Sequence, residues 1–444
     1  MPATSPDSTD PVHPSVPRAR ARPWWRFRLS LRAMMALVLV IALPLGWKVR
    51  RAATQRRAVA AVVALGGQIT YEDQIDPLGR PRLPHRPWGP AWLRSFLGDE
   101  FFREVAWVHF VSRQQGRMVD DETIVVLNDF DHLQGLALQG QTKPTREAPP
   151  DRFITAKGLA RLGSLPRLRA LGMPFIGCDA AMIALLPRWP TLENITIFDV
   201  AKTLNRSPTS DAGMERLAAL PNLKSVDLLG TELSPATLAA WGRRPALEVL
   251  SFDGSRLARG DLKALAGQSR LTDLSIVLDG HADRPSTHLL IHRVAPRFGD
   301  EDLDALRAVP LQHLTIMGLD ATDAGVGRLL QTHSFTFLAL SGRGVTDASI
   351  PRLARQAKLT TLVLADTSIT DAGLAQLAAI PGLRTLSLID NAALTDEGVV
   401  QLRTFPTLNS LTIRQPKVKP ATLDAIREKV GPFNIFQPPE EAAR

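Results

Sequence analysis

The chain has 444 residues, 45% of them hydrophobic, with aromatics at 6% and a single Tyr, so it can build a large core of mainly aliphatic side chains. The net charge of +9 would suit a nucleic-acid binder, but residues 1–71 hold eleven Lys and Arg against only Asp7 and Asp10. The remainder, 72–444, is formally neutral, which speaks against a nucleic-acid partner, and the single Cys178 leaves no intramolecular disulfide and no Cys-rich zinc site.

Residues 1–17 are rich in Pro, Ser, Thr and Asp, and the segment 1–28 is expected to be a disordered basic tail. Pro23 to Leu29 mixes Trp and Phe with Arg, a composition that suits a lipid headgroup region. Ala33 to Trp47 is then uncharged over fifteen residues. Counting from Leu29, and letting Arg32 reach back to the interface, gives nineteen, so 29–50 is expected to be a single-pass transmembrane anchor. A cleaved signal peptide and a buried core helix are the competing readings. The long basic region, the lack of an A-x-A site and the Lys48, Arg50 and Arg51 that follow favour the anchor. Six Arg precede the uncharged run and five basic residues follow it, an excess that is expected to place the body on the extracytoplasmic side. Residues 51–99 read as a juxtamembrane helix over Ala52–Leu65, ended by Gly66-Gly67, then a possible strand at Gln68–Tyr71 and a Pro-rich connector.

From residue 100 to 436 the pattern L-x-x-L-x-L recurs. Leu223/Val226/Leu228, Leu247/Leu250/Phe252 and Leu271/Leu274/Ile276 start 24 residues apart, as do the copies at Leu311, Phe335, Leu359 and Leu383. Val105/Val108/Phe110 reads as an early copy and Phe433/Phe436 as a degenerate last one. Between the copies stands a second element, Thr370-Asp371-Ala372-Gly373-Leu374, echoed at Thr322, Thr346, Thr395 and Ser210. Thr or Ser there is a natural helix N-cap, and Asp in the first turn meets the positive end of the helix dipole. A breaker such as Pro221, Pro310, Pro381 or Pro406 closes each unit. Each unit is therefore strand, turn, capped helix, turn, and stacking buries the Leu positions in one continuous core.

These motifs resemble the leucine-rich-repeat family, in the Thr-Asp-Ala-Gly-Leu variant of bacterial membrane-anchored and F-box-associated proteins. The resemblance implies an α/β fold, a leucine-rich-repeat solenoid curved as a horseshoe with a parallel concave sheet and convex helices. It departs from the Cys-containing form, since Thr231 and Thr367 stand at the turn after L-x-L. No F-box-like segment precedes the array, so an adaptor role of that kind is not carried over. Residues 437–444 are left as a tail.

Three spacings are long, which puts insertions at Gln139–Arg152, Phe198–Pro208 and Leu278–Arg297. The last holds His281, His288 and His292, but without a clear third ligand they read as surface histidines and no metal or cofactor is expected. Asp120, Asp121 and Glu122 read as helix-start charge, Gly325-x-Gly327 as a capped helix start, and Cys178 as a buried packing thiol. Protease, P-loop, hydrolase and kinase motifs are absent from the sequence, so a binding or scaffold protein, not an enzyme, is expected. Residues flanking the second Leu of each copy should point away from the core. On that strip Asp227, Asp273, His313, Thr315, Phe337, Thr361, Thr385 and Ser387 are the candidate contacts, with His313 and Phe337 as anchors. The expected partner is a protein or cell-envelope component. Lateral self-association as a structural envelope layer is the alternative, and a hydrolase or transferase using an insertion loop the remote one.

Overall fold

A computed structural model describes residues 31–75, 90–110, 119–138, 154–174, 178–198, 211–278, 298–414 and 418–430. The chain falls into two units, residues 1–51 and 52–444. A helix runs over Leu31–Ala64 with Pro44 inside it. In the first unit its residues 34–50 are exposed on every side. In the second, Ala52, Gln55, Ala58 and Val62 are buried at helical spacing, and Ala58 and Val62 join the main core. The helix closes at Gly66, whose φ of 78° is one that residues with a Cβ resist.

The anticipated transmembrane span requires correction. Among the described residues no helix is long and apolar enough to cross a membrane. Fifteen uncharged residues, Ala33–Trp47, extend only about 22 Å at ~1.5 Å per residue. A hydrocarbon core is ~30 Å thick, and Arg32 and Lys48 bound the run on both sides. Leu29 and Ser30, needed for the longer count, lie outside the described residues.

The second unit is built on β1 (Gly67–Tyr71), β2 (Val105–Phe110), β3 (Gly135–Leu138), β4 (Ala170–Pro174), β5 (Asn194–Phe198), β6 (Ser225–Glu232) and β7 (Val249–Asp253). It continues through β8 (Asp273–Val277), β9 (His313–Ile316), β10 (Phe337–Ser341), β11 (Thr361–Ala365), β12 (Thr385–Ile389) and β13 (Ser410–Arg414). All thirteen lie in one sheet in chain order. Only β1 runs antiparallel, against β2; every later pair is parallel. Such an order follows from the sequence repeat, because each strand-turn-helix unit places its strand beside the previous one. The anticipated strand at Gln68–Tyr71 is thus β1, and the early copy at Val105 is β2.

Leu250, Leu274, Leu314, Leu338 and Leu362 stack in register from β7 to β11, each at most 2% exposed. Helix residues such as Leu303, Val326 and Leu374 close over them in the same cluster. Aromatics contribute more than their number suggests. Trp189, Trp241, Phe298, Phe335 and Phe405 are fully buried, and Trp189 Nε1 donates to Gly163 O at 2.9 Å. After the strands the chain turns through left-handed backbone at Gly318, Asp366 and Asp390. Cys178 is buried, while the insertions beyond Phe198 and Leu278 and the whole of 139–152, the His281/His288/His292 group and Phe433/Phe436 lie outside the described residues.

The Thr-Asp-x-Gly element does something its local pattern does not reveal. Thr155, Thr322 and Thr346 do accept a capping bond from their own helix, but Thr370 and Thr395 make none. Instead the Asp of one repeat accepts from the Thr of the next. Asp347 takes the Thr370 amide at 2.8 Å and its hydroxyl at 2.5 Å, and Asp371 takes the Thr395 amide at 3.0 Å and hydroxyl at 2.6 Å. Asp121 serves Thr155, Asp300 serves Thr322, and Asp323 serves Thr346 in the same way. Glycine follows because the carboxylate occupies the space of its side chain: a Cβ at Gly373 would lie 2.0 Å from Asp347 Oδ1, and one at Gly398 1.8 Å from Asp371 Oδ1. Where Ser349 replaces the glycine, its hydroxyl donates to Asp323. Helix-start charge is therefore a clamp between repeats. Asp120 alone of the early acidic trio caps its own turn, accepting from the amides of Glu122 and Thr123.

Candidate protein-interaction face

One face of the sheet is covered by helices; the other presents the residues flanking each central Leu. Parallel register places Asp273, His313, Phe337, Thr361 and Thr385 side by side across β8 to β12. A second row, two residues on, holds Ser251, Ser275, Thr315, Ala339, Val363 and Ser387. Between the rows lies an open cavity of about 440 Å³, walled by Val249, Ser251, Asp273, His313, Phe337 and Thr361 among others.

Five of the eight expected contacts line this cavity: Asp273, His313, Thr315, Phe337 and Thr361. Asp227 on β6 and Thr385 and Ser387 on β12 do not. Val249, Ser251, Ser275, Thr336 and Thr360 also line it without having been among those contacts. Thr336 and Thr360 precede their strands, so alternation along the strand could not flag them. Their only signal is the repeat register itself, which sets both just after the first apolar residue of a copy, Phe335 and Leu359.

His313 and Asp273 are hydrogen-bonded through Nδ1 and Oδ1, and the Thr272 hydroxyl donates to the other Asp273 oxygen at 2.5 Å. These bonds fix the carboxylate and the imidazole in one orientation. Phe337 meets the His313 ring edge-on, with centroids 6.4 Å apart and planes at 78°. The cavity therefore has a polar end, with the carboxylate and the Ser251–Ser275–Thr315 hydroxyls, and an apolar end around Phe337. Thr315 is 9% and Ala339 1% exposed, so the floor is tight at β9 and β10, where His313 and Phe337 stand clear of it.

On the earlier strands the rim carries compensated charge. Glu193 holds Lys224 at 2.7 Å and Arg169 at 3.8 Å, and Glu248 holds Arg270 at 2.8 Å. At β9, β10 and β11 the same positions are Gln312, Thr336 and Thr360, and charge returns with Arg384 before β12. Away from the face, two carboxylates, Asp323 and Asp302, are shifted in opposite directions. Burial pushes Asp323 up, but donors from Ser349 and Thr346 outweigh it and hold the carboxyl below its usual range. For Asp302 burial wins over the amides of Gly299, Gly260 and Leu262, and its carboxyl is raised. Among the described residues no group of three His, Cys, Asp or Glu side chains is placed to hold a metal ion.

No protein-family model matches this chain. No curated protein matches it either. Among solved structures it is similar to a chain in the crystal structure of the Rad7 and Elc1 complex in yeast, with 15% identity, a TM-score of 0.50 and 90% of each chain covered. The chain has the fold of a repeat solenoid. At that identity the likeness reports architecture alone, and specificity rests with the residues each solenoid displays.

Proposed function

We propose that this chain is a leucine-rich-repeat protein of the Thr-Asp-Ala-Gly-Leu variant whose open sheet face binds a protein partner, a binding or scaffold role and not a catalytic one. The observation that carries the reading is the shared register that gathers Asp273, His313, Thr315, Phe337 and Thr361 around one cavity on the open sheet face. A half-buried aromatic beside a hydrogen-bonded histidine and aspartate of fixed orientation offers an anchor for an interface. The similar yeast chain belongs to a two-protein complex, which agrees with a binding role.

The test is affinity purification of the tagged full-length chain from native membranes, beside a Phe337→Asp/Thr361→Asp variant. The partner retained by the native chain is then purified and its affinity measured against both. Loss of at least about thirtyfold, ~2 kcal/mol, is expected for a central aromatic anchor. Equal affinity for both chains refutes the reading. Retention only of further copies of the chain favours lateral assembly instead.

A second observation concerns location. In the first unit Leu37, Val38, Leu39, Val40, Ile41 and Leu43 are each 48–70% exposed, with Arg51 over the Trp47 ring at 5.4 Å. Leaving so much apolar side chain in water is unfavourable, at ~25 cal/mol per Å². We propose that residues 29–50 hold the protein at a membrane with the solenoid on the extracytoplasmic side. Failure of the full-length chain to float with lipid vesicles, or equal flotation after residues 29–50 are removed, refutes the membrane contact. Protection of the solenoid from protease in intact cells with a permeable outer layer refutes the side.

A further inference from the structure

A second recess lies beside the face cavity. It has a volume of about 370 Å³ and is lined by Arg307, Gln312, Thr332, Ser334, Thr336 and Lys358 among others. Thr336 lines both hollows, so they meet at the rim of the sheet where β10 begins.

The two hollows differ in charge. Lys358 is exposed and makes no ion pair among the described residues. Arg307 reaches Asp304 only at 3.9 Å, and Asp304 is already held by Arg328 Nε at 2.9 Å. Both cations are therefore available to an incoming anion. His333 in the wall is not, since its ring nitrogens lie against Leu329 O at 3.0 Å and Val309 O at 2.6 Å. Across Thr336 the character changes, because the face cavity there presents the Phe337 ring, while its carboxylate, Asp273, lies two strands away and is held by His313 and the Thr272 hydroxyl.

From this pairing of a cationic hollow with an apolar one we infer that the site takes an extended acidic peptide segment of a partner protein. Its carboxylate sits between Arg307 and Lys358, and an aliphatic or aromatic side chain rests against Phe337 in the face cavity. Phe337 gives a carboxylate no partner and the free cations stand on the other side of Thr336, so the segment lies in one direction. The inference rests on the proposed binding face and names the chemistry of its partner.

The experiment uses the full-length chain in detergent and fluorescein-labelled ten-residue peptides. One set has a Glu followed two, three or four residues later by Leu or Phe, in an otherwise Ser/Gly background. The matched set has Gln for Glu. The native chain should bind the best Glu peptide at least tenfold more tightly than its Gln partner, with the preference shrinking as salt rises. A folded Arg307→Glu/Lys358→Glu variant, checked by circular dichroism, should lose the preference, and Phe337→Asp should weaken both peptides. Equal binding of Glu and Gln peptides, an unchanged preference in the charge-reversed variant, or no binding of any peptide at millimolar concentration overturns the inference. If the charge reversal is silent while Phe337→Asp still releases the purified partner, the binding face stands and only this assignment of its ligand falls.

Discussion

Replacing Gly373 by Ala should destabilise the solenoid even though alanine is the better helix former. The new Cβ would lie 2.0 Å from Asp347 Oδ1 and 2.6 Å from its Cγ, so the carboxylate must withdraw by more than an ångström. Withdrawal breaks its bonds to the Thr370 amide and hydroxyl. Two bonds to a carboxylate contribute about 1.5–3 kcal/mol each when sheltered, and Thr370 is exposed, so the pair together is worth about 2–3 kcal/mol. Alanine's helix preference returns up to ~1 kcal/mol. The net loss is about 1–2 kcal/mol, read as a lower urea midpoint by circular dichroism, with tryptophan fluorescence checking that the transition stays cooperative. Gly267→Ala is the control: nothing lies within 4 Å of its added Cβ, and it should be neutral or slightly stabilising. Gly373→Ser should lose less than Gly373→Ala, since a serine at this position donates to the carboxylate as Ser349 does to Asp323. The decisive comparison is a double-mutant cycle. With Asp347→Ala already in place, Gly373→Ala should cost nothing; the same cost in both backgrounds would refute the clamp.

Further outcomes are expected elsewhere. Asn391 is 1% exposed, accepts from the Thr367 amide at 2.9 Å and donates to Leu364 O at 3.0 Å, so Asn391→Ala should cost about 3 kcal/mol in urea unfolding. Asp323, with its folded value lowered, stabilises fully above the ordinary carboxylate range, and that contribution fades as pH falls through the lower folded value. Asp302, with its folded value raised, does the opposite: its contribution is greatest below that range and is lost as pH rises through the raised value. Asp302→Asn should therefore compare better with the native chain at about pH 7 than at about pH 4, measured by urea titration at both; a difference that does not change with pH contradicts the buried carboxylate. Gly135→Ala would place its Cβ 2.3 Å from the Trp107 ring and should alter near-ultraviolet circular dichroism; an unchanged spectrum contradicts that contact.

Much of the architecture was legible in the residues. Leu at fixed offsets with a 24-residue period is enough to define the strand, its inward face and the helix that follows, because both elements must bury those side chains together. The same alternation identified Asp273, His313, Thr315, Phe337 and Thr361 as outward-facing, and all five line the cavity. Its extent was not legible. A hollow needs neighbouring side chains of unequal size, and Ser251, Phe337 and Thr361 become neighbours only when β7, β10 and β11 enter one sheet. Thr336 and Thr360 were missed because they stand just outside the alternating segment.

The Thr-Asp-Ala-Gly element shows the division most clearly. Local sequence explains Thr as a cap and Asp as dipole compensation, and both explanations stay within one turn of helix. The partner of Asp347 is 23 residues away, and Gly373 is conditioned by a carboxylate of the preceding repeat. Sequence alone therefore determined the unit and its period, through hydrophobic spacing that acts over a few residues. Tertiary structure decided what crosses between units, the Asp–Thr clamps and the shared cavity, because hydrogen bonds and side-chain shape act only between groups that stacking has brought into contact.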